Sequence, residues 1–155
     1  MPSQHLVLVI SYQRAMRHLI ERVCRHAGAK TLTATSGQEG RAVVAQRGLH
    51  DFALIVIETV EPGWKNRFQP RMARHLLQEW TAASPLLPFV FIGPGSQKHA
   101  LLRIRADIVR YVPTPVGRSA LREAITSCFP KHSPLARDGS VSFFKEGTPS
   151  WQIPQ

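Results

Sequence analysis

The stretch Phe52-Ala-Leu-Ile-Val-Ile-Glu-Thr-Val-Glu-Pro-Gly63 decides the fold. Its first six residues, Phe52 to Ile57, are all apolar. Such a run is too short for a typical helix. Ile55, Val56 and Ile57 are β-branched, and Pro62-Gly63 closes the run. An unbroken apolar run of this kind suits a strand buried on both faces in the middle of a parallel sheet. One acid, Glu58, stands at its carboxyl end, ahead of the Pro-Gly turn. In open α/β sheets the carboxyl ends of the strands are where ligands and chemistry gather. Glu58 is therefore the first candidate for a functional residue.

Upstream, Leu6–Ile10 is a second all-apolar strand, followed by Ser11-Tyr12-Gln13. From Arg14 to Ala27, Met16, Leu19, Ile20, Val23 and Cys24 recur at helical spacing, with Arg17, Arg22 and Arg25 on the outer face and Gly28 as the stop. The threonine-rich, alternating Lys30–Thr35 predicts a strand near the sheet edge. Ser36 and Glu39 have the spacing of a capping box for a helix over 37–47. Downstream, the patterns predict a helix over 71–81, a strand over 87–92, a short helix over 97–105, a strand over 108–112 and a last helix from Gly117 or Ser119 to Phe129. Five strands alternating with five helices predict an α/β fold, a doubly wound five-stranded parallel sheet covered on both faces. This unit spans 5–129. Residues 130–155 hold four prolines, two glycines and no helical period, and they predict an extension, loose or extended. Its apolar residues are Val141, Phe143, Phe144, Trp151 and Ile153.

At 155 residues the chain is long enough to bury a core, and 43% hydrophobic content excludes global disorder. No apolar run approaches the ~20 residues that a membrane helix needs. Met-Pro-Ser-Gln-His lacks the charged start of a secretory signal. The expectation is a cytoplasmic chain whose two cysteines, Cys24 and Cys128, stay reduced. Lys and Arg total 20 against 10 acids, a net charge of +10, and Arg outnumbers Lys three to one. That excess suggests an acidic partner such as nucleic acid, an acidic protein face or an anionic surface. The cations gather at Arg14, Arg17, Arg22 and Arg25; around Lys65, Arg67, Arg71 and Arg74, where Trp64 and Phe68 interleave; and at Arg103, Arg105 and Arg110. Seven histidines and two cysteines show no zinc spacing, so neither metal nor cofactor is expected. Gly93-Pro-Gly95 lacks the Gly-Lys-Ser/Thr of a phosphate loop.

Four segments together carry a resemblance. They are Leu6–Ile10 followed by Ser11-Tyr12 and Ala15-Met16-Arg17; Val56 through Gly63; Phe89-Val-Phe-Ile-Gly93; and Tyr111-Val-Pro-Thr-Pro115. Their order and spacing resemble the receiver (CheY-like) domain of two-component response regulators, a flavodoxin-like three-layer sandwich. The resemblance implies an acidic pair at Ser11 and Tyr12, a phosphoacceptor aspartate at Glu58, a hydroxyl at Gly93, a lysine at Thr114 followed by Pro115 in a cis peptide, and a switch aromatic at Tyr111. The sequence departs at nearly every chemical position. Ser11 and Tyr12 are neutral, the acceptor is one methylene longer, Gly93 has no hydroxyl and Thr114 no charge. Magnesium needs several hard oxygens, and phosphoryl transfer rests on positioning and charge neutralisation. Only Glu61, on the following loop, could add a second carboxylate.

These departures imply a pseudo-receiver that is not an enzyme and works by protein–protein contact in a two-component-type pathway. The resemblance places a dimer or partner interface on the fourth helix, fifth strand and fifth helix, at Leu101, Ile104, Arg105, Tyr111, Leu121 and Arg122, with the C-terminal extension as a second contact. Glu58 admits two readings: a fixed mimic of the phosphorylated state, or an acid at a solvated loop end. Tyr111 also admits two: a gating aromatic, or a strand tyrosine with its ring buried and its hydroxyl in water. Two alternatives stand beside the adaptor reading. One is a basic nucleic-acid-binding module on the same fold. The other is a small-ligand sensor around Ser11, Glu58 and Gly93.

Overall fold

The computed structural model describes residues 5–59 and 70–129. Its strands are β1 (His5–Ile10), β2 (Ala29–Ala34), β3 (Leu54–Glu58), β4 (Phe89–Gly93) and β5 (Val109–Pro113). They alternate with helices α1 (Arg14–His26), α2 (Gly37–Arg47), α3 (Pro70–Ala83), α4 (Lys98–Leu102) and α5 (Arg118–Thr126). All strand pairings are parallel, in the order β2-β1-β3-β4-β5. This is the expected doubly wound three-layer α/β fold. The threonine-rich β2 is an edge strand, and the apolar β3 is central.

The alternation of side chains along a strand explains why β3 carries no polar residue before Glu58. Ile55 and Ile57 join Leu8, Ile10, Phe89 and Phe91 on one face, beneath Leu76, Leu77 and Trp80 of α3 and Leu101 of α4. Leu54 and Val56 join Val7, Val9, Val90 and Ile92 on the other, beneath Ile20, Val23 and Cys24 of α1 and Leu121 and Ile125 of α5. Both faces are covered, so every residue of β3 and of β4 is buried.

Helix α2 makes its closest approach through glycine, with Val43 and Val44 partly buried beside it. A Cβ on Gly40 would lie 2.5 Å from Ile10 Cδ1, and one on Gly37 would lie 2.8 Å from Met72 Cγ. The α2 backbone therefore seats directly against the end of β1. The Glu39 N–H donates to Ser36 Oγ at 3.1 Å, as the capping box predicts. The Glu39 carboxylate reaches back to the N–H of Thr35 at 2.5 Å rather than to that of Ser36.

Several boundaries differ from expectation for local reasons. The strand expected from Leu87 begins at Phe89, because Pro88 has no N–H for the ladder. The fourth helix is cut to five residues after a 3-10 turn, Gly95–Gln97, and only Leu101 of α4 is fully buried. The last helix stops at Thr126, where the Thr126 and Ser127 hydroxyls donate to the carbonyls of Arg122 and Ala124. Both cysteines are free thiols, and burial, with the Glu21 charge second, pushes Cys24 up to about 12. Among the described residues no helix is long and apolar enough to cross a membrane. Glu61, Pro62-Gly63, Trp64, Lys65, Arg67 and Phe68 lie outside the described residues, as does the segment 130–155.

Candidate functional site

The tips of β1 and β3 meet because the two strands pair in register, Ile10 beside Ile57. Ser11 follows β1 directly, and its N–H donates to Ala34 O at 3.0 Å, which extends the β1–β2 ladder by one bond. Glu58 ends β3 opposite Ile92 of β4. It is 5% exposed, which corrects the reading of an acid at a solvated loop end.

Both carboxylate oxygens of Glu58 are engaged. Ser11 Oγ donates to Oε1 at 2.6 Å, and Gln13 Nε2 donates to Oε2. Arg17, one turn into α1, donates from Nη1 to the carbonyls of Ser11 (2.9 Å) and Tyr12 (3.0 Å). Its guanidinium thus braces the loop that carries the two donors. Burial pushes the Glu58 carboxyl above the usual glutamate range; the hydrogen bonds from Ser11 and Gln13, and the Arg17 charge, hold it down in part. Burial, then the Glu58 charge, pushes the Tyr12 phenol up.

The neighbouring tips complete the pocket. Thr59 donates to Ile92 O through its N–H (2.8 Å) and its Oγ1 (3.2 Å). The Tyr111 hydroxyl donates to Pro94 O at 2.5 Å and bonds with Thr59. Its half-buried ring packs against the core. Gly93 is buried, and its carbonyl accepts from the Thr114 N–H at 2.9 Å. The Thr114–Pro115 peptide is cis, as the resemblance implies.

The structure therefore joins Ser11 to Glu58, Tyr111 to the β4 loop, and Gly93 to Thr114. Two working residues escaped the sequence reading. Gln13 passed unremarked beside the acidic-pair positions. Helical spacing puts Arg17 on the outer face, but it is half-buried and turned back onto the loop. Its place one turn past Ser11 is the signal that would have found it. The interface residues separate: Leu101 and Leu121 face the sheet and are buried at 1% and 0% exposure, so neither presents a contact surface. Ile104 and Tyr111 are half-buried and Arg122 is exposed, while Arg105 is tied to Asp107 (2.9 Å) and Pro85 O (2.9 Å).

Chemically, this is one buried carboxylate held by two neutral donors, with a cation behind them. Among the described residues no group of three or more His, Cys, Asp or Glu side chains could hold a metal ion. The crevice beside Glu58 is narrow and walled by Ile10, Gly37, Ile57, Met72, Ala73 and Leu76.

No family model matches the sequence, and no curated protein matches it. Solved structures do match. A response regulator receiver domain protein from Clostridium thermocellum superposes with a TM-score of 0.61 at 20% identity, covering 80% of this chain and 93% of that one. A response regulator receiver protein from Pseudomonas putida gives 0.62 at 16%, covering 82% and 99%. The receiver domain of NtrX from Brucella abortus gives 0.60 at 20%, covering 79% and 96%. The chain has the receiver-domain fold. At this identity the likeness establishes the fold and leaves the chemistry to the residues themselves.

Proposed function

We propose that the chain is a phosphorylation-independent receiver-like module, a binding protein rather than a catalyst, acting in the cytoplasm in a two-component-type pathway. The observation that carries this reading is the Ser11–Glu58–Gln13 clamp. In a phosphorylatable pocket the acceptor carboxylate shares a metal ion with neighbouring acids. Here neutral donors fill both of its oxygens. At the positions the resemblance assigns them, Gly93 supplies no hydroxyl and Thr114 no cation for a phosphoryl group. When ionised, Glu58 brings a charge of about −1, where a phosphoryl group brings about −1.5 to −2. With Tyr111 turned inward onto Pro94 O, the module is held in one state. Its partner face is α4, β5 and α5, through Ile104, Tyr111 and Arg122, and the extension after residue 129 adds a second contact.

The test is incubation with Mg²⁺ and acetyl phosphate, followed by intact-protein mass measurement. The expected result is an unchanged mass. A phosphoryl adduct that disappears in Glu58→Gln overturns the reading. Light scattering in low and high salt then examines the face: a salt-resistant dimer that Ile104→Glu dissociates identifies the partner as a second copy.

A further inference from the structure

Helix α1 carries a line of cations that the fold does not use. Its inner side is Met16, Leu19, Ile20, Val23 and Cys24. Its outer side presents Arg14, His18, Arg22 and Arg25, all exposed. Positions 14, 18, 22 and 25 fall on one stripe, roughly 16 Å long at 1.5 Å per residue. Elsewhere on the surface Arg41 pairs with Glu79, Arg47 with Asp51 and Arg105 with Asp107, while Arg103, Arg118 and Arg122 have no such partner among the described residues. The side chains of Arg14, Arg22 and Arg25 have no hydrogen-bond or ion-pair partner among the described residues. His18, Arg22 and Arg25 share a shallow depression with one acid, Glu21.

Helix stability does not account for this arrangement. Gln13 makes no side-chain capping bond, and the first turn holds no acid. Arg14 instead puts a cation at the positive end of the helix dipole, where it is unfavourable. Helix α5 packs on the same face of the sheet and adds exposed Arg118.

We propose that this α1 stripe is a binding surface for the phosphodiester backbone of a nucleic acid, read without base specificity. The surface chemistry separates this partner from an acidic protein. A packed protein interface is built round an apolar or aromatic centre. The one exposed large hydrophobic residue among the described residues is Leu86, in the turn between α3 and β4 and on neither helix. A row of guanidiniums with no apolar anchor suits a linear polyanion, and with the His18 imidazole as its one ring it offers no run of stacking platforms for successive bases. The proposal does not rest on the Glu58 clamp: the chain could fail the phosphorylation test and still bind nucleic acid here, or the reverse.

The test is fluorescence anisotropy of the full chain with a labelled duplex DNA of random sequence and a labelled single strand, titrated between about 50 and about 200 mM salt. Two double variants lose equal charge: Arg22→Gln with Arg25→Gln on the stripe, and Arg41→Gln with Arg47→Gln at paired positions. All four sites are at the surface, and circular dichroism confirms the fold. The expected result is binding that weakens with salt and whose slope of log affinity against log salt falls by about two in the stripe variant, about one per lost contact. The paired-position variant keeps the wild-type slope. No binding to either probe at the lower salt overturns the proposal. Equal loss in both variants also overturns it, because net charge alone then explains the affinity. Tighter binding to polyglutamate than to either oligonucleotide assigns the stripe to an acidic protein and overturns it as well.

Discussion

The tip of β3 and the outer face of α1 meet at the same helix, and they treat their polar groups in opposite ways. At the tip, the carboxylate of Glu58 and the carbonyls of Ser11 and Tyr12 each have a designated donor. On the outer face, Arg14, Arg22 and Arg25 have none among the described residues. A buried polar group without a partner is costly, so the tip must satisfy itself from within the chain. An exposed cation is hydrated and waits at little cost. The polar groups at the β3 tip are thus part of the packing of the fold. The sites still open to a partner lie on the surface.

Two arginines of one helix test that contrast most directly. Arg17→Met removes the brace on two carbonyls and the cation nearest Glu58, and should cost about 2–3 kcal/mol in urea denaturation. Arg22→Met, five residues along on the exposed stripe, should stay within about 0.5 kcal/mol of wild type. Equal effects would mean that Arg17 is as solvated as its neighbour and that the tip is not a structural unit. Next in size is Gly40→Ala. Its Cβ would need the space of Ile10 Cδ1, the last side chain before Ser11, so a loss of about 1–3 kcal/mol is expected. Gly28→Ala meets no neighbouring atom but sits at φ +84°. It should be strained for its backbone alone, without disturbing the tip. Smaller again is Tyr111→Phe, which removes one of the two donors to Pro94 O and leaves the Gln97 N–H at 3.1 Å, and should cost about 1 kcal/mol.

The contrast also explains which parts of the molecule were legible in the sequence. The fold was readable because strand burial and helix amphipathicity leave periodic marks: the six-residue run before Glu58, the stripe from Met16 to Cys24, the alternation of Lys30–Thr35. Helix α2 left its mark in its cap, Ser36 and Glu39, rather than in hydropathy, because Gly37 and Gly40 make its closest contacts and an absent side chain carries no hydropathy. At the site, the position of Glu58 was legible from its place at a strand end, but its environment was not. Gln13 and Arg17 act through bonds that span a loop, and their partners are fixed by how β1, β3 and α1 converge. Leu101 and Leu121 show the reverse failure. Placement on a family's interface elements says nothing of which side of the helix a residue takes, and the 3.6-residue period turns both of them inward.

Glu58→Gln gives the smallest expected effect and the sharpest reading of the tip. Burial raises the Glu58 pKa above its ordinary value despite the donors around it. Below the ordinary glutamate range the residue is protonated both folded and unfolded, and its contribution to stability is fully present. As the pH rises, the unfolded chain gives up its proton first, and the folded chain only on passing through the raised value. Over that window the wild type loses stability that a non-titrating glutamine keeps. The exchange of carboxyl for amide also shifts the hydrogen bonds with Ser11 and Gln13, but that offset does not vary with pH. The difference in stability between Glu58→Gln and wild type should therefore move in favour of the variant as the pH rises from the ordinary glutamate range through the raised value. Urea denaturation of both proteins across that range measures it. A difference that moves the other way would mean that the Arg17 charge and the two donors outweigh burial. Glu58 would then be a stabilised anion, and the tip, like the α1 stripe, a place where charge is held ready rather than tolerated.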